Sequence, residues 1–193
     1  MARTEVFHKD EVLRKVIALF WDKGYNGTSM QMITEATGLN RSSIYNSFGS
    51  KMELYQLALK TYQKESGSLY QKALLKAKNP LEALQYIFKD AVRMRLEDSE
   101  KNGCFVLNCK SEMAGQDRKI SKWLEDIQDD GIDFYRELVE QAQEQGLVNK
   151  EESANAYAVY LFSAFQGLTM TGILIKDKQT LTQIINTVFK PLL

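Results

Sequence analysis

The chain holds 193 residues, 44% of them hydrophobic and 26% charged, an ordinary balance for a soluble globular protein and enough for one large domain or two small ones sharing a core. Twenty-five basic and 25 acidic residues give a formal net charge of zero, so no global field marks out a nucleic-acid partner and any such reading must rest on a local site. The polar, charged run from Met1 to Asp10 predicts no export signal, the absence of about 18 consecutive apolar residues predicts no membrane span, and Cys104 and Cys109 fit free thiols in a reducing cytoplasm.

Only two prolines, Pro80 and Pro191, interrupt the chain, and the pattern reads as helix throughout. In residues 10–23, Val12, Leu13, Val16, Ile17, Leu19 and Phe20 recur at offsets of three and four, with Asp10 as a cap and Gly24 as a stop. After the turn Gly24-Tyr25-Asn26-Gly27, Thr28-Ser29-Met30-Gln31 reads as a capping box with Thr28 as the cap. It opens a short helix with Met30, Ile33 and Ala36 inward, ending at Gly38. Asn40 caps the next short helix, Leu39 and Ile44 form a hydrophobic staple, and the helix ends near Phe48-Gly49.

Ser50-Lys51-Met52-Glu53 is a second capping box, opening a long helix through Tyr55, Leu59 and Tyr62 to about Ala77. Asn79-Pro80-Leu81-Glu82 is the clearest start signal, for a helix to about Glu97. A short segment follows at 104–113, then a long helix at 117–145 whose Gly131 marks a kink or a close helix contact. Helices at 151–176 and 179–189 complete the chain. No strand-like alternation persists and no internal repeat is visible. The expected fold is all-α, about nine helices.

The residues from Thr28 to Lys51 carry the functional signal. Two helices of about two turns, joined by Gly38-Leu39-Asn40, match a helix-turn-helix, whose second helix enters the major groove. With Ile44 taken as inward, Phe48 shares its side, Ser42 and Asn46 lie opposite, Ser43 and Tyr45 flank, and Arg41 sits at the tip. This face is small, polar and aromatic, without the Lys/Glu decoration of a solvated helix. Arg can read guanine, Asn can read adenine, and Tyr45 can reach a phosphate or a thymine methyl. Lys51 and the free N–H groups at Ser50 form an expected phosphate seat. Thr28, Ser29, Gln31 and Asn40 complete the candidate DNA set.

The run from Thr28 to Leu54 resembles the DNA-binding domain of the TetR (tetracycline repressor) family. Ile33, Gly38, Tyr45, Phe48, Lys51 and Leu54 occupy the places of its pattern, and Phe20-Trp21-Asp22-Lys23-Gly24-Tyr25 resembles the end of its first helix. Thr34 and Thr37 depart from the usual Ala, and Ser47 from a common His or aromatic. The resemblance implies a three-helix DNA-binding domain at 1–50, continuing into a linking helix at 51–77, and a helical effector-binding and dimerisation domain at 51–193. It implies a transcriptional regulator, more often a repressor, on double-stranded palindromic operator DNA, released by a small effector. Charge agrees weakly: residues 1–60 hold eight basic and six acidic residues, a net of +2, and the rest −2. Arg3 is a candidate minor-groove arm.

Family architecture places homodimerisation on the last two helices, where Tyr157, Leu161, Phe165, Leu168, Ile184 and Val188 are the candidates and Gly167 and Gly172 permit close approach, with a core helix fully buried within one subunit as the alternative. It also implies an apolar effector pocket. Tyr62, Phe88, Cys104, Phe105, Trp123, Phe134, Tyr160 and Phe165 are candidate linings for a hydrophobic or aromatic effector, with core packing as the alternative at each.

Cys104 also begins a helix within Gly103-Cys104-Phe105, as in some TetR-like regulators, and there a thiol could act as an electrophile sensor. A bridge to Cys109 is not expected, since five residues place the two roughly 140° apart on a helix. Enzymatic function is not expected. His8 is the only histidine, no paired metal ligands or phosphate-cradling glycine loop appear, and no cofactor is implied. The remaining rival is a helical adaptor that presents the Arg41–Asn46 face to a protein instead of DNA.

Overall fold

The computed structural model describes residues 7–193, so Arg3 lies outside the described residues. In chain order they form α1 (Lys9–Lys23), α2 (Met30–Thr37), α3 (Arg41–Phe48), α4 (Lys51–Lys76), α5 (Pro80–Glu97), α6 (Phe105–Met113), α7 (Arg118–Glu144), α8 (Ala154–Thr171) and α9 (Lys178–Phe189), closed by a 3-10 turn at Lys190–Leu192. No strand occurs among the described residues.

Short polar residues set most of the helix starts. Ser29, Asn40, Ser50, Asn79, Asp117, Ser153 and Asp177 each accept a first-turn backbone N–H of the helix that follows. Two expected caps move. Asp10 lies inside the first turn of α1, where its charge still complements the helix dipole, and His8 stands at the cap without a side-chain bond. Ser29 rather than Thr28 caps α2, because the Thr28 hydroxyl turns back to donate to Gly24 O at 2.6 Å. In α2, Ala36 faces outward and Thr37 inward, its hydroxyl satisfied by Ile33 O at 2.7 Å. Helix α8 is shorter than the apolar run suggested, whereas α9 starts one residue earlier than expected. Ser153 delays the start of α8, and Gly172 caps its end.

The apolar residues collect in two clusters. The first joins Val16 and Phe20 of α1, Ile33 of α2, Ile44 and Phe48 of α3, and Leu54, Tyr55 and Leu59 of α4. It also takes in Phe105, Cys109 and Met113 of α6 and Ile120 and Leu124 of α7. The helix-turn-helix head is therefore floored by α6. The second cluster joins α5, the later part of α7, α8 and α9 around Leu84, Phe88, Tyr135, Val139, Leu161 and Leu181. Here α7 and α8 approach closely at Gly131, where an added Cβ would stand 2.6 Å from Phe162 Cε2. Gly131 thus marks a close contact, and α7 runs through it unbroken.

Helix α6 depends on its surroundings. It has nine residues and no side-chain N-cap, and a helix of that length is marginal alone in water. Phe105 anchors it, buried against Trp21, Tyr55 and Tyr62 with ring centroids 6.4, 5.7 and 5.7 Å away. Burying such a side chain contributes about 2–3 kcal/mol. The Asp98 carboxylate, itself paired with buried Arg95 at 3.0 Å, accepts the N–H groups of Asn102 and Gly103 and shapes the approach to α6.

Candidate nucleic-acid interface and effector cavity

The turn between α2 and α3 is made by Gly38, whose left-handed backbone (φ +75°) would cost another residue roughly 1–2 kcal/mol. Its N–H donates to Thr34 O at 2.9 Å, closing α2. Beyond it Asn40 Oδ1 accepts the Ser43 N–H at 2.8 Å and starts α3. Ile44 is fully buried, Phe48 nearly so, and Leu39 packs on the same cluster. That pinning decides which side of α3 meets solvent. Arg41, Ser42, Tyr45 and Asn46 are exposed, with Tyr45 49% accessible, and Ser43 is half-buried beside them. The exposed face is short-chained apart from Arg41 and Tyr45, so it can approach a groove floor closely.

The neighbouring candidates divide. Ser29 and Gln31 are exposed, Ser29 engaged as the cap and Gln31 donating to Glu35 at 2.9 Å. Thr28 is 1% exposed and its hydroxyl is bonded inward, so its side chain holds the turn and is not presented on the exposed face. The expected anion seat at Ser50 is also occupied. The Glu53 carboxylate accepts both the Ser50 N–H and its hydroxyl at 2.8 Å, which holds that carboxyl below the usual range. Lys51 supplies the cation instead. Its Nζ lies 4.2 Å above the Tyr25 ring. Partial burial lowers its pKa, and the Glu112 charge acts in the opposite direction.

Glu112 belongs to α6, 87 residues beyond Tyr25. Its carboxylate accepts the N–H of Tyr25 and the N–H of Asn26, each at 2.8 Å. Nothing local in the sequence pairs it with the Gly24–Gly27 turn.

A cavity of about 510 Å³ opens among α4, α5, α6, α7 and α8. Four of the eight candidate linings meet there: Tyr62, Cys104, Phe134 and Phe165. Four do not. Phe88 is fully buried in the second cluster, against Phe165 and Phe189, and Phe105 is buried in the first. Trp123 borders a separate, smaller cleft with Gln56 and Leu59, and Tyr160 lies on the outer face of α8, donating to Val188 O at 3.1 Å. Sequence reasoning missed the stripe on α4 formed by Gln63, Ser66, Gly67 and Tyr70, and Gln166 and Thr169 on α8. The helical spacing of small and polar residues within a long helix was the available signal. Burial pushes the Tyr70 hydroxyl up to about 12, with Cys104 adding to it, and burial likewise raises Tyr62. Both remain protonated hydrogen-bond donors. Cys104 Sγ stands 3.9 Å from the Tyr62 hydroxyl.

The candidate dimer residues need correction. Tyr157, Leu161, Leu168 and Val188 are buried inside the subunit, because they form the stripe by which α8 and α9 pack on α5 and α7. Tyr157 is further tied to Asn149 Oδ1 at 2.6 Å and Pro191 O at 3.1 Å. Phe165 is half-buried at the cavity, and Ile184 is half-buried on α9. The outward face of α8 is instead Ala156, Val159, Tyr160, Ser163, Gly167 and Met170, and α8 contains no charged residue. Among the described residues no helix is long and apolar enough to cross a membrane, and no cluster of His, Cys, Asp or Glu could hold a metal ion.

Residues 12–58 match the family model described as bacterial regulatory proteins, tetR family, and residues 80–188, more than half of the chain, match the model of a tetracyclin repressor-like C-terminal domain. The HTH-type transcriptional regulator YezE of Bacillus subtilis (strain 168) is 28% identical over 94% of both chains. The HTH-type transcriptional repressor DhaR of Mycobacterium sp. (strain GP1) is 24% identical over 100% of this chain and 95% of its own. A cysteine mutant of the TetR family regulator CifR, solved with 26-base-pair double-strand operator DNA, superposes with a TM-score of 0.86 at 22% identity, covering 97% of this chain and 98% of that one.

Proposed function

The chain belongs to the TetR family and is a transcriptional regulator with an N-terminal DNA-binding domain, and we propose that it represses by occupying a palindromic operator as a homodimer until a small, largely apolar effector enters the cavity. The observation that carries this reading is the exposed face of Arg41, Ser42, Tyr45 and Asn46 over fully buried Ile44. Arg41 and Asn46 supply base-edge hydrogen bonds, and Tyr45 and Lys51 contact the backbone. Its output is DNA occupancy rather than catalysis, and its place of action is the cytoplasm, beside its operator.

Dimerisation follows from the uncharged outer face of α8 beside α9. Val159 and Met170 are each 43% exposed there, and Gly167 has no heavy atom within 4 Å of where a Cβ would sit, so a second copy can approach. A two-fold pair would set its recognition helices about 34–36 Å apart, one turn of B-DNA. The cavity supports the effector half. Its aromatic walls carry hydroxyls and amides, and of its three charged residues Arg95 is paired with Asp98, Asp90 with Arg93, and Asp130 is exposed, a composition suited to an aromatic or amphipathic molecule.

Selection of duplexes from fragmented genomic DNA tests the reading. A palindromic consensus is expected, with an affinity that falls steeply as salt rises, because bound phosphates release counterions. Failure to retain any duplex at low salt would leave the adaptor reading instead.

One observation favours a second reading of how the effector acts. Cys104 lines the cavity, whereas Cys109 is buried, with its thiol pKa raised by that burial. An electrophilic effector would add to the Cys104 sulfur, the thiol proton leaving to solvent. Mass spectrometry after mild alkylation checks this: adduct at Cys104 together with DNA release supports it, and DNA release without an adduct excludes it.

A further inference from the structure

We propose that Glu112 is a positioning residue for DNA binding: its carboxylate clasps the turn that precedes the helix-turn-helix and ties that turn to the wall of the effector cavity. The proposal rests on the assignment of α3 and Lys51 to DNA.

The clasp joins segments remote in sequence. Tyr25 and Asn26 lie past the end of α1, which closes with the Gly24 N–H on Phe20 O. Glu112 receives both, one on each carboxylate oxygen, at 2.8 Å. Bonds to an ionised acceptor are stronger than neutral ones. The backbone makes room for it, since a Cβ at Gly24, at φ +72°, would stand 2.7 Å from Glu112 Oε2. The turn in turn seats Lys51, whose ammonium rests on the Tyr25 ring. A shift of Tyr25 therefore shifts the cation proposed to meet phosphate.

The other end of α6 faces the cavity. Cys104, Val106 and Leu107 line it. From Leu107 to Glu112 is five residues, about 7.5 Å along a helix. A second tie runs nearby, from Trp21 Nε1 to Asn102 O at 3.0 Å. Helix α6 is nine residues long and lacks a side-chain N-cap, and its Phe105, Cys109 and Met113 are buried in the first cluster, so it joins the cavity wall to the head as one short rod. A molecule that presses on residues 104–107 displaces that rod, and Glu112 carries the displacement to the turn.

A merely structural carboxylate would stabilise the fold without linking the two sites, so the test measures the linkage. Leu107→Trp serves as a built-in cavity filler, and the probe is a duplex selected by the parent protein. Alone, Leu107→Trp weakens binding. Glu112→Ala weakens it by about tenfold, and in that background Leu107→Trp adds little further loss. The near-isosteric Glu112→Gln, which keeps one acceptor, falls between Ala and the parent and remains informative if the Ala variant folds poorly. Hydrogen exchange at the Tyr25 and Asn26 amides rises in the same order without any DNA. An equal Leu107→Trp penalty in both backgrounds, or unchanged exchange at the two amides in Glu112→Ala, overturns the proposal. A parent that selects no duplex overturns the DNA reading instead, and the exchange measurement still decides the clasp.

Discussion

The two apolar clusters are built from the same kinds of side chain and packed to different ends. The first closes on a continuous set of rings in which Phe20, Tyr55, Phe105, Tyr62 and Trp21 meet at centroid distances of 4.9–6.4 Å. The second has comparable ring contacts around Tyr135 and Phe88 but, with its packed neighbours, supplies more of the lining of a cavity of about 510 Å³, which the first cluster meets at Tyr62. A cavity sacrifices dispersion contacts along its lining, so the second cluster gives up packing in exchange for room. The contrast teaches that this chain keeps rigidity where a surface must be held in register and compliance where a guest must enter, with α6 in contact with both.

Substitutions can break that contrast. Phe105→Ala should have the largest effect, since it opens a hole among Trp21, Tyr55 and Tyr62 and loosens α6. A loss of about 3–5 kcal/mol is expected in denaturant unfolding. A loss below about 1 kcal/mol would mean that the first cluster is as yielding as the second.

Two glycines sharpen the comparison. Gly24→Ala meets the held carboxylate of Glu112 and a left-handed backbone, so it should cost about 1–3 kcal/mol and weaken DNA binding. Gly131→Ala meets the edge of the Phe162 ring, which lines the cavity and has space to turn into it. Its cost should stay near about 1 kcal/mol, the low end for overpacking. The cavity should shrink, visible as weaker uptake of an apolar fluorescent probe. Equal costs at the two glycines would erase the proposed difference.

The smallest effect belongs to Tyr135. Its ring is fully buried in the second cluster and its hydroxyl has no protein hydrogen-bond partner. Burial drives its pKa well above the usual value, so the group stays neutral. Tyr135→Phe removes a buried unsatisfied polar atom and should be neutral or stabilising by up to about 1 kcal/mol in thermal unfolding.

The head was legible in the sequence to the level of individual side chains because its determinants are local. Asn40, Ile44 and Phe48 fix the start and rotation of α3 within nine residues, and the angular reading that turned Ser42 and Asn46 outward agrees with their exposure. Local signals also failed locally. Thr28 and Ser29 are both good caps, and only the bond from Thr28 to Gly24 O decides between them. In the body the same reasoning could find helices but not their partners. Phe88, Phe105 and Phe134 look alike in sequence, yet one lies in each cluster core and one lines the cavity, a difference set by helix packing at long range. Family architecture pointed Leu161 and Leu168 to an interface, and the core of their own subunit claims them. Glu112 had no legible role, because its partners are backbone amides 86 and 87 residues away.

The most direct test of the DNA-reading face is the equilibrium affinity of Tyr45→Ala and Arg41→Ala for a duplex selected by the parent. Both side chains are exposed, so the melting temperature should hardly move. The account predicts that Tyr45→Ala loses about tenfold or more across all sequences, while Arg41→Ala also relaxes discrimination at one base position, worth about 1–3 kcal/mol. Parent-like affinity and sequence preference in both variants would contradict it.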